Sequence, residues 1–97
     1  MSDKYKLDGY TPIRCSLMEW VDQFQGSNRI VAQTDVAKDI QVSTVFLGLD
    51  HQWGDGPPLL FETMIFGGAH DQFQQRYSTW DQAEAGHRAA LKLAITV

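Results

Sequence analysis

"VFLGLDHQWGDGPPLLFETMIFGG", Val45–Gly68, decides the fold. Two apolar runs flank a loop of Asp, His, Trp, Gly and Pro. The link "HQWGDGP" has the Gly-Asp-Gly-Pro chemistry of a tight reversal. The runs "IQVSTVFLGLD" and "PLLFETMIFGG" therefore pair as an antiparallel hairpin. Each run is apolar on both faces. One face takes Ile40, Val42, Phe46, Leu59, Phe61 and Ile65; the other takes Val45, Leu47, Leu49, Leu60, Met64 and Phe66.

Working toward the N-terminus, "RIVAQTDV" alternates as a further strand, with Ile30, Ala32, Thr34 and Val36 on one side. Before it, "SLMEWVDQFQG" carries a capping box, Ser16 with Glu19, and a stripe of Leu17, Trp20, Val21 and Phe24. This predicts a short helix over 17–25, stopped by Gly26. Residues 1–15 are polar, with Gly9 and Pro12, and read as an irregular arm.

Working toward the C-terminus, "FQQRYS" reads as a short edge strand or an extended lead-in. "STWDQAEAGHRAALKLAI" is a helix, capped by Thr79 with Gln82 or by Ser78 with Asp81. Ala83, His87, Ala90, Leu91 and Ala94 form a stripe of mostly small residues that would let it lie close on a sheet. Gly86 falls off that stripe and costs helix stability. The expected fold is a single α+β domain. A three- to four-stranded antiparallel meander carries a short N-terminal helix and a longer C-terminal helix packed on the sheet.

Two helices can cover one sheet face. The second apolar face then needs a partner, and burying four to six such side chains at roughly 25 cal/mol per Å² is worth several kcal/mol. A homo-oligomer is expected; the alternative is that the two helices split between the faces.

Composition narrows the function. With 8 Lys and Arg against 12 Asp and Glu, the net charge is −4 and the basic residues are scattered, which argues against DNA. No apolar run approaches the ~20 residues of a membrane span. The polar start "MSDKYKLDGY" and the single Cys15 suit a cytoplasmic protein with no disulfide and no cysteine metal cluster.

Asp50, His51 and Glu62, with His70, could serve a metal-dependent phosphoesterase. Metal-ligand spacings such as His-x-His are lacking, so the fold would have to gather them. Glu62 interrupts an apolar run and needs a partner, Arg76 or His87. Cys15 precedes a helix start, which could lower its pKa, but a plain thiol is the simpler reading. No P-loop, nucleophile elbow or cofactor signature is present. "QRYST" places Arg76, Tyr77, Ser78 and Thr79 just before a helix N-terminus. That end can hold a phosphate, with Arg76 and the hydroxyls as further donors. Tyr77, Trp53 or Phe73 could stack on a base.

The stretch "VSTVFLGLDHQWGDGPPLLFETMIFGG" followed by "RYSTWDQAEAGH" resembles a recurring pattern of small bacteriophage proteins, over about residues 28 to 90. Within these it resembles the phage anti-Thoeris sponge family. The resemblance implies a non-enzymatic protein of the host cytoplasm. Such a protein sequesters a cyclic ADP-ribose isomer or a cyclic oligonucleotide at sites between subunits of a homo-oligomer, a hexamer among the candidates. It implies Arg76 and Ser78 as phosphate contacts, Ser standing where the pattern has Thr. Phe46, Trp53, Arg29 and His51 complete the candidate ligand contacts from the residue reading. An interaction module docking a host protein on the sheet face is the remaining alternative.

Overall fold

The structure, a computed structural model, describes residues 3–25 and 29–96. Eight elements follow in order: β1 (Tyr5–Asp8), β2 (Thr11–Arg14), α1 (Leu17–Phe24), β3 (Ile30–Ala37), β4 (Ile40–Phe46), β5 (Phe61–Phe66), β6 (Gln74–Tyr77) and α2 (Trp80–Ala94). Strands β3 to β6 form a four-stranded antiparallel meander in sequence order, as expected. The chain is α+β, with α2 packed on that sheet.

The N-terminal segment departs from the expected irregular arm. β1 and β2 pair antiparallel as a two-stranded sheet. Their hairpin is fastened to the end of β4: Tyr5 N–H donates to Gly48 O at 2.7 Å, and Lys4 bridges Leu49. This pairing was hidden because the strands are only four residues long and carry a mixed, mostly polar pattern. The capping box on α1 forms as expected, with the Ser16 hydroxyl accepting from Glu19 N–H at 3.2 Å. The Gly26 stop lies outside the described residues.

The apolar face of α1 turns toward the start of the β4–β5 connection. Trp20 lies against Gly48 so closely that a Cβ there would come within 2.6 Å of the indole nitrogen. Gly48 also has φ +74, in the region that favours glycine.

Ala83, His87, Ala90 and Ala94 are the buried residues of α2, which is the small-residue stripe read from the sequence, less the half-buried Leu91. Small side chains let the helix settle onto Val42 and Ile65 at one end and onto Phe46, Leu60 and Phe61 at the other. Between these apolar clusters runs a polar row. His87 Nε2 meets Thr34 Oγ1 at 3.0 Å, and Nδ1 meets Thr44 Oγ1 at 2.7 Å. Thr44 Oγ1 in turn meets Thr63 Oγ1 at 2.6 Å. One ring thus ties the helix directly to β3 and β4, and through Thr44 to β5.

Gly86 has a positive reason to be glycine. A Cβ there would fall 2.1 Å from the Tyr77 ring, so the missing side chain is what lets β6 approach α2. The helix-stability cost read from the sequence buys this closeness.

The second sheet face is less apolar than the sequence suggested. Strand β4 ends at Phe46 and β5 begins at Phe61, so Leu47, Leu49 and Leu60 lie beyond the paired strands. Leu60 is buried in the core, and Leu49 is bridged by the N-terminal segment. What remains on this outer face is Ile30, Val45, Met64 and Phe66 among Gln33, Asp35, Gln41, Ser43, Glu62, Gln74 and Arg76, by the alternation of the paired register. Many of the polar members satisfy one another. Gln33 donates to Ser43 at 3.1 Å, Gln41 donates to Asp35 at 3.3 Å, and Gln74 and Arg76 both donate to Glu62.

Candidate functional site

The amino end of α2 meets the β1–β2 hairpin, and a cleft opens between them. Tyr10, at the hairpin turn, stacks on Trp80, the first residue of α2, with ring centroids 4.5 Å apart and planes tilted by 35°. Trp80 in turn meets Phe61 edge-on, which anchors the stack to the core. On one side of the two rings lies a cavity of about 440 Å³ lined by Lys6, Leu7, Gly9, Tyr10, Gln23 and Trp80. On the other side a smaller one of about 280 Å³ is lined by Tyr10, Thr11, Pro12, Thr79, Trp80 and Asp81.

Each wall has a local cause. Gly9, with φ +63, turns the hairpin and carries Tyr10 outward, where it is 68% exposed. Gln23 is locked onto the β1 backbone: its Oε1 accepts from Leu7 N–H at 2.8 Å, and its Nε2 donates to Tyr5 O at 3.4 Å. Lys6 forms an ion pair with Glu19, and that hydrogen bond raises the Lys6 pKa. Glu19 is held correspondingly below the usual carboxylate range by the same bond. A ligand phosphate reaching Lys6 would share it with Glu19.

The helix end itself is largely self-capped. Thr79 Oγ1 accepts from Gln82 N–H at 3.1 Å, and Gln82 Oε1 accepts from the Ser78 and Thr79 amides at 3.0 and 3.2 Å. The capping read from "STWDQ" is present, with Thr79 rather than Ser78 as the cap. Asp81 lies in the first turn, favourable to the helix dipole but repulsive to an anion placed beside it.

The residues expected to contact ligand are scattered within one chain. Arg76 leaves β6 on the outer face, where its Nε donates to Glu62 Oε2 at 3.0 Å. Tyr77, its neighbour, leaves on the opposite face and packs against Gly86. Ser78 and Thr79 follow at the helix start, so the Arg-and-hydroxyl cradle is not assembled around Arg76 within the chain. Phe46 is buried in the core between sheet and helix. Arg29 stacks over the Phe24 ring at 4.4 Å. His51 donates its backbone amide to Leu59 O at 3.1 Å at the base of the β4–β5 loop. Trp53, at the tip of that loop, is 94% exposed. The cleft thus keeps Thr79 and adds Lys6, Tyr10 and Trp80, which the sequence reading did not select. The available signal was Trp80 in "RYSTW", beside the helix start already singled out.

The residues proposed for metal chemistry are placed apart. Among the described residues no group of three or more His, Cys, Asp or Glu could hold a metal ion. Asp50 Oδ1 accepts from the Gln52 and Leu59 amides at 2.8 and 3.1 Å, which makes it a loop cap. Glu62 is paired with Arg76, one of the two partners expected for it, and His70 meets Thr96 O at 3.2 Å. His87 is 5% exposed, and that burial holds its pKa below the ordinary 6.5. Burial pushes the Cys15 thiol up instead of the lowering that a helix start could produce, in keeping with a plain thiol.

Comparison with protein-family models, with curated proteins and with solved structures finds no match to this chain. No helix among the described residues is long and apolar enough to cross a membrane.

Proposed function

We propose that this chain is a non-enzymatic binding protein of the host cytoplasm that sequesters a cyclic nucleotide immune signal, a cyclic ADP-ribose isomer or a cyclic oligonucleotide. In this reading it acts for a bacteriophage against host defence and works as a homo-oligomer. One observation carries the reading beyond the sequence resemblance: the cleft at the amino end of α2. There an exposed ring stack, Tyr10 on Trp80, stands beside the Lys6 ammonium and a cavity of about 440 Å³. An adenine needs a flat apolar face, and a phosphate needs a cation or open amides. The cleft offers both within one concavity of ligand size.

Binding without turnover is supported by how the acid–base residues are used. Asp50, Glu62 and His87 are each committed to hydrogen bonds that hold the fold. Arg76 and Ser78, drawn from the resemblance, serve the ligand in this proposal across a subunit boundary. The outer face of the sheet, with Phe66 42% and Ile30 39% exposed, favours a second reading, a module that docks a host protein there.

The test is a thermal-shift titration with cyclic ADP-ribose isomers and cyclic oligonucleotides, followed by recovery of the ligand after heating. The expected result is a rise in Tm, intact ligand on release, and loss of the rise in Lys6→Ala and Tyr10→Ala, two substitutions outside the core. Hydrolysed ligand would replace sequestration with catalysis. No shift with any of these nucleotides would remove the reading.

A further inference from the structure

Trp53 is the most exposed large apolar side chain in the described chain, at 94%. Hydrogen bonds brace the loop on either side of it. Asp50 Oδ1 clamps the Gln52 and Leu59 amides, and Gln52 Nε2 donates to Pro57 O at 3.2 Å across the tip. A Trp presented to water is an anchor awaiting a pocket, since Trp leads the residues that dominate interface energetics.

The same chain carries such a pocket. α2 is one helix on four strands and lies over the middle of them. It covers the inner side of edge strand β6 only in part, where Tyr77 packs against Gly86. The result is a groove of about 300 Å³ between β6 and α2, with Phe73, Tyr77, Gly86, Ala89 and Leu93 as its apolar walls. Gln75 lines it too and offers a carbonyl to an indole N–H. Among the described residues, none of the Trp53 loop lines this groove. Charge agrees: Asp55 stands two residues from Trp53, and Lys92 adjoins Leu93 on the exposed side of α2.

We propose that Trp53 of one copy of this chain inserts into the β6–α2 groove of a second copy, and that this contact builds the homo-oligomer. The inference rests on the self-association in the function proposed above, and names the surfaces that make it. Knob and groove are different patches, so two copies can exchange them about a two-fold axis, or several can pass them head to tail around a ring.

Sedimentation velocity of the full-length protein and of two variants tests it. Trp53→Ala removes the knob, and Ala89→Arg fills the groove from an exposed helix position. Neither touches the buried core, and circular dichroism confirms folding in each. The wild type is expected to sediment as an oligomer at micromolar concentration. Each variant is expected to raise the dissociation constant by about 30-fold or more, as loss of a Trp anchor does. An oligomer that Trp53→Ala leaves unchanged overturns this contact while leaving self-association standing. A wild type that sediments as a monomer overturns both. Nucleotide binding is read separately, by thermal shift, at the cleft of Lys6, Tyr10 and Trp80, which one chain forms by itself.

Discussion

Replacing His87 with alanine strikes the row of hydrogen bonds that ties α2 to β3 and β4 and, through Thr44, to β5. The ring is 5% exposed and bonds Thr34 and Thr44, with Thr63 behind. Truncation removes a buried ring, about 2 kcal/mol by analogy with large-to-small core changes. It also strands the Thr34 hydroxyl, a further 1 to 3 kcal/mol, roughly. Thr44 keeps Thr63 and loses less. The sum, about 3 to 5 kcal/mol, is a large share of the 5 to 15 kcal/mol typical of a domain. For a domain of this size it should lower Tm by about 12 °C or more.

The pH dependence sharpens the test. Burial holds His87 below its ordinary 6.5, so the unfolded chain takes up the proton first as pH falls. The stability belonging to neutral His87 is complete above pH 6.5 and drains away below it. One group contributes at most 1.36 kcal/mol per pH unit, hence up to about 2 kcal/mol between pH 6.5 and 5. The gap between wild type and His87→Ala should narrow by up to that amount, because every other titrating group is common to both proteins. Urea denaturation at several pH values reads the gap. A Tm within about 3 °C of wild type, or a gap that stays constant with pH, would refute the argument.

Other substitutions probe other contacts. Gly86→Ala, ordinarily worth about 1 kcal/mol of helix stability, should instead destabilise, because its methyl would meet the Tyr77 ring at 2.1 Å; urea denaturation gives the sign. Asp50→Ala should unpair the Gln52 and Leu59 amides and speed their hydrogen exchange relative to the sheet, at a global cost of about 1 to 2 kcal/mol. Glu62→Gln should cost only about 1 kcal/mol, since Arg76 is 35% exposed at the side chain and water can take over its donors; a Tm loss above about 15 °C would mean that the pair is far more isolated from solvent than its exposure indicates.

The meander, the C-terminal helix and both capping boxes were legible because each rests on local chemistry. Alternation marks β3 to β5, and Ser16 with Glu19 and Thr79 with Gln82 mark the helix starts. The β1–β2 hairpin was not legible, because what holds it is a long-range bond from Tyr5 to Gly48, which no local pattern announces. Face assignment failed at Leu47, Leu49 and Leu60 for a related reason. Period-two counting assumes that strand geometry continues, and it ends at Phe46 and resumes at Phe61. Glu62 was correctly read as needing a partner, because an apolar run makes a lone carboxylate conspicuous. The cleft escaped notice since Lys6 and Tyr10 come from a segment read as an arm. Their meeting with Trp80 depends on where the hairpin docks.

The Thr–His row across the middle of the core has a mechanical consequence. Alanines are interchangeable, so a helix seated only on Ala83, Ala90 and Ala94 could slip by one turn, about 5.4 Å, and find an almost equally good seat. A single imidazole that must meet hydroxyls on neighbouring strands admits one setting along the axis. It acts as a detent, and whatever is mounted at the tip of that rod keeps its spacing from the rest of the molecule.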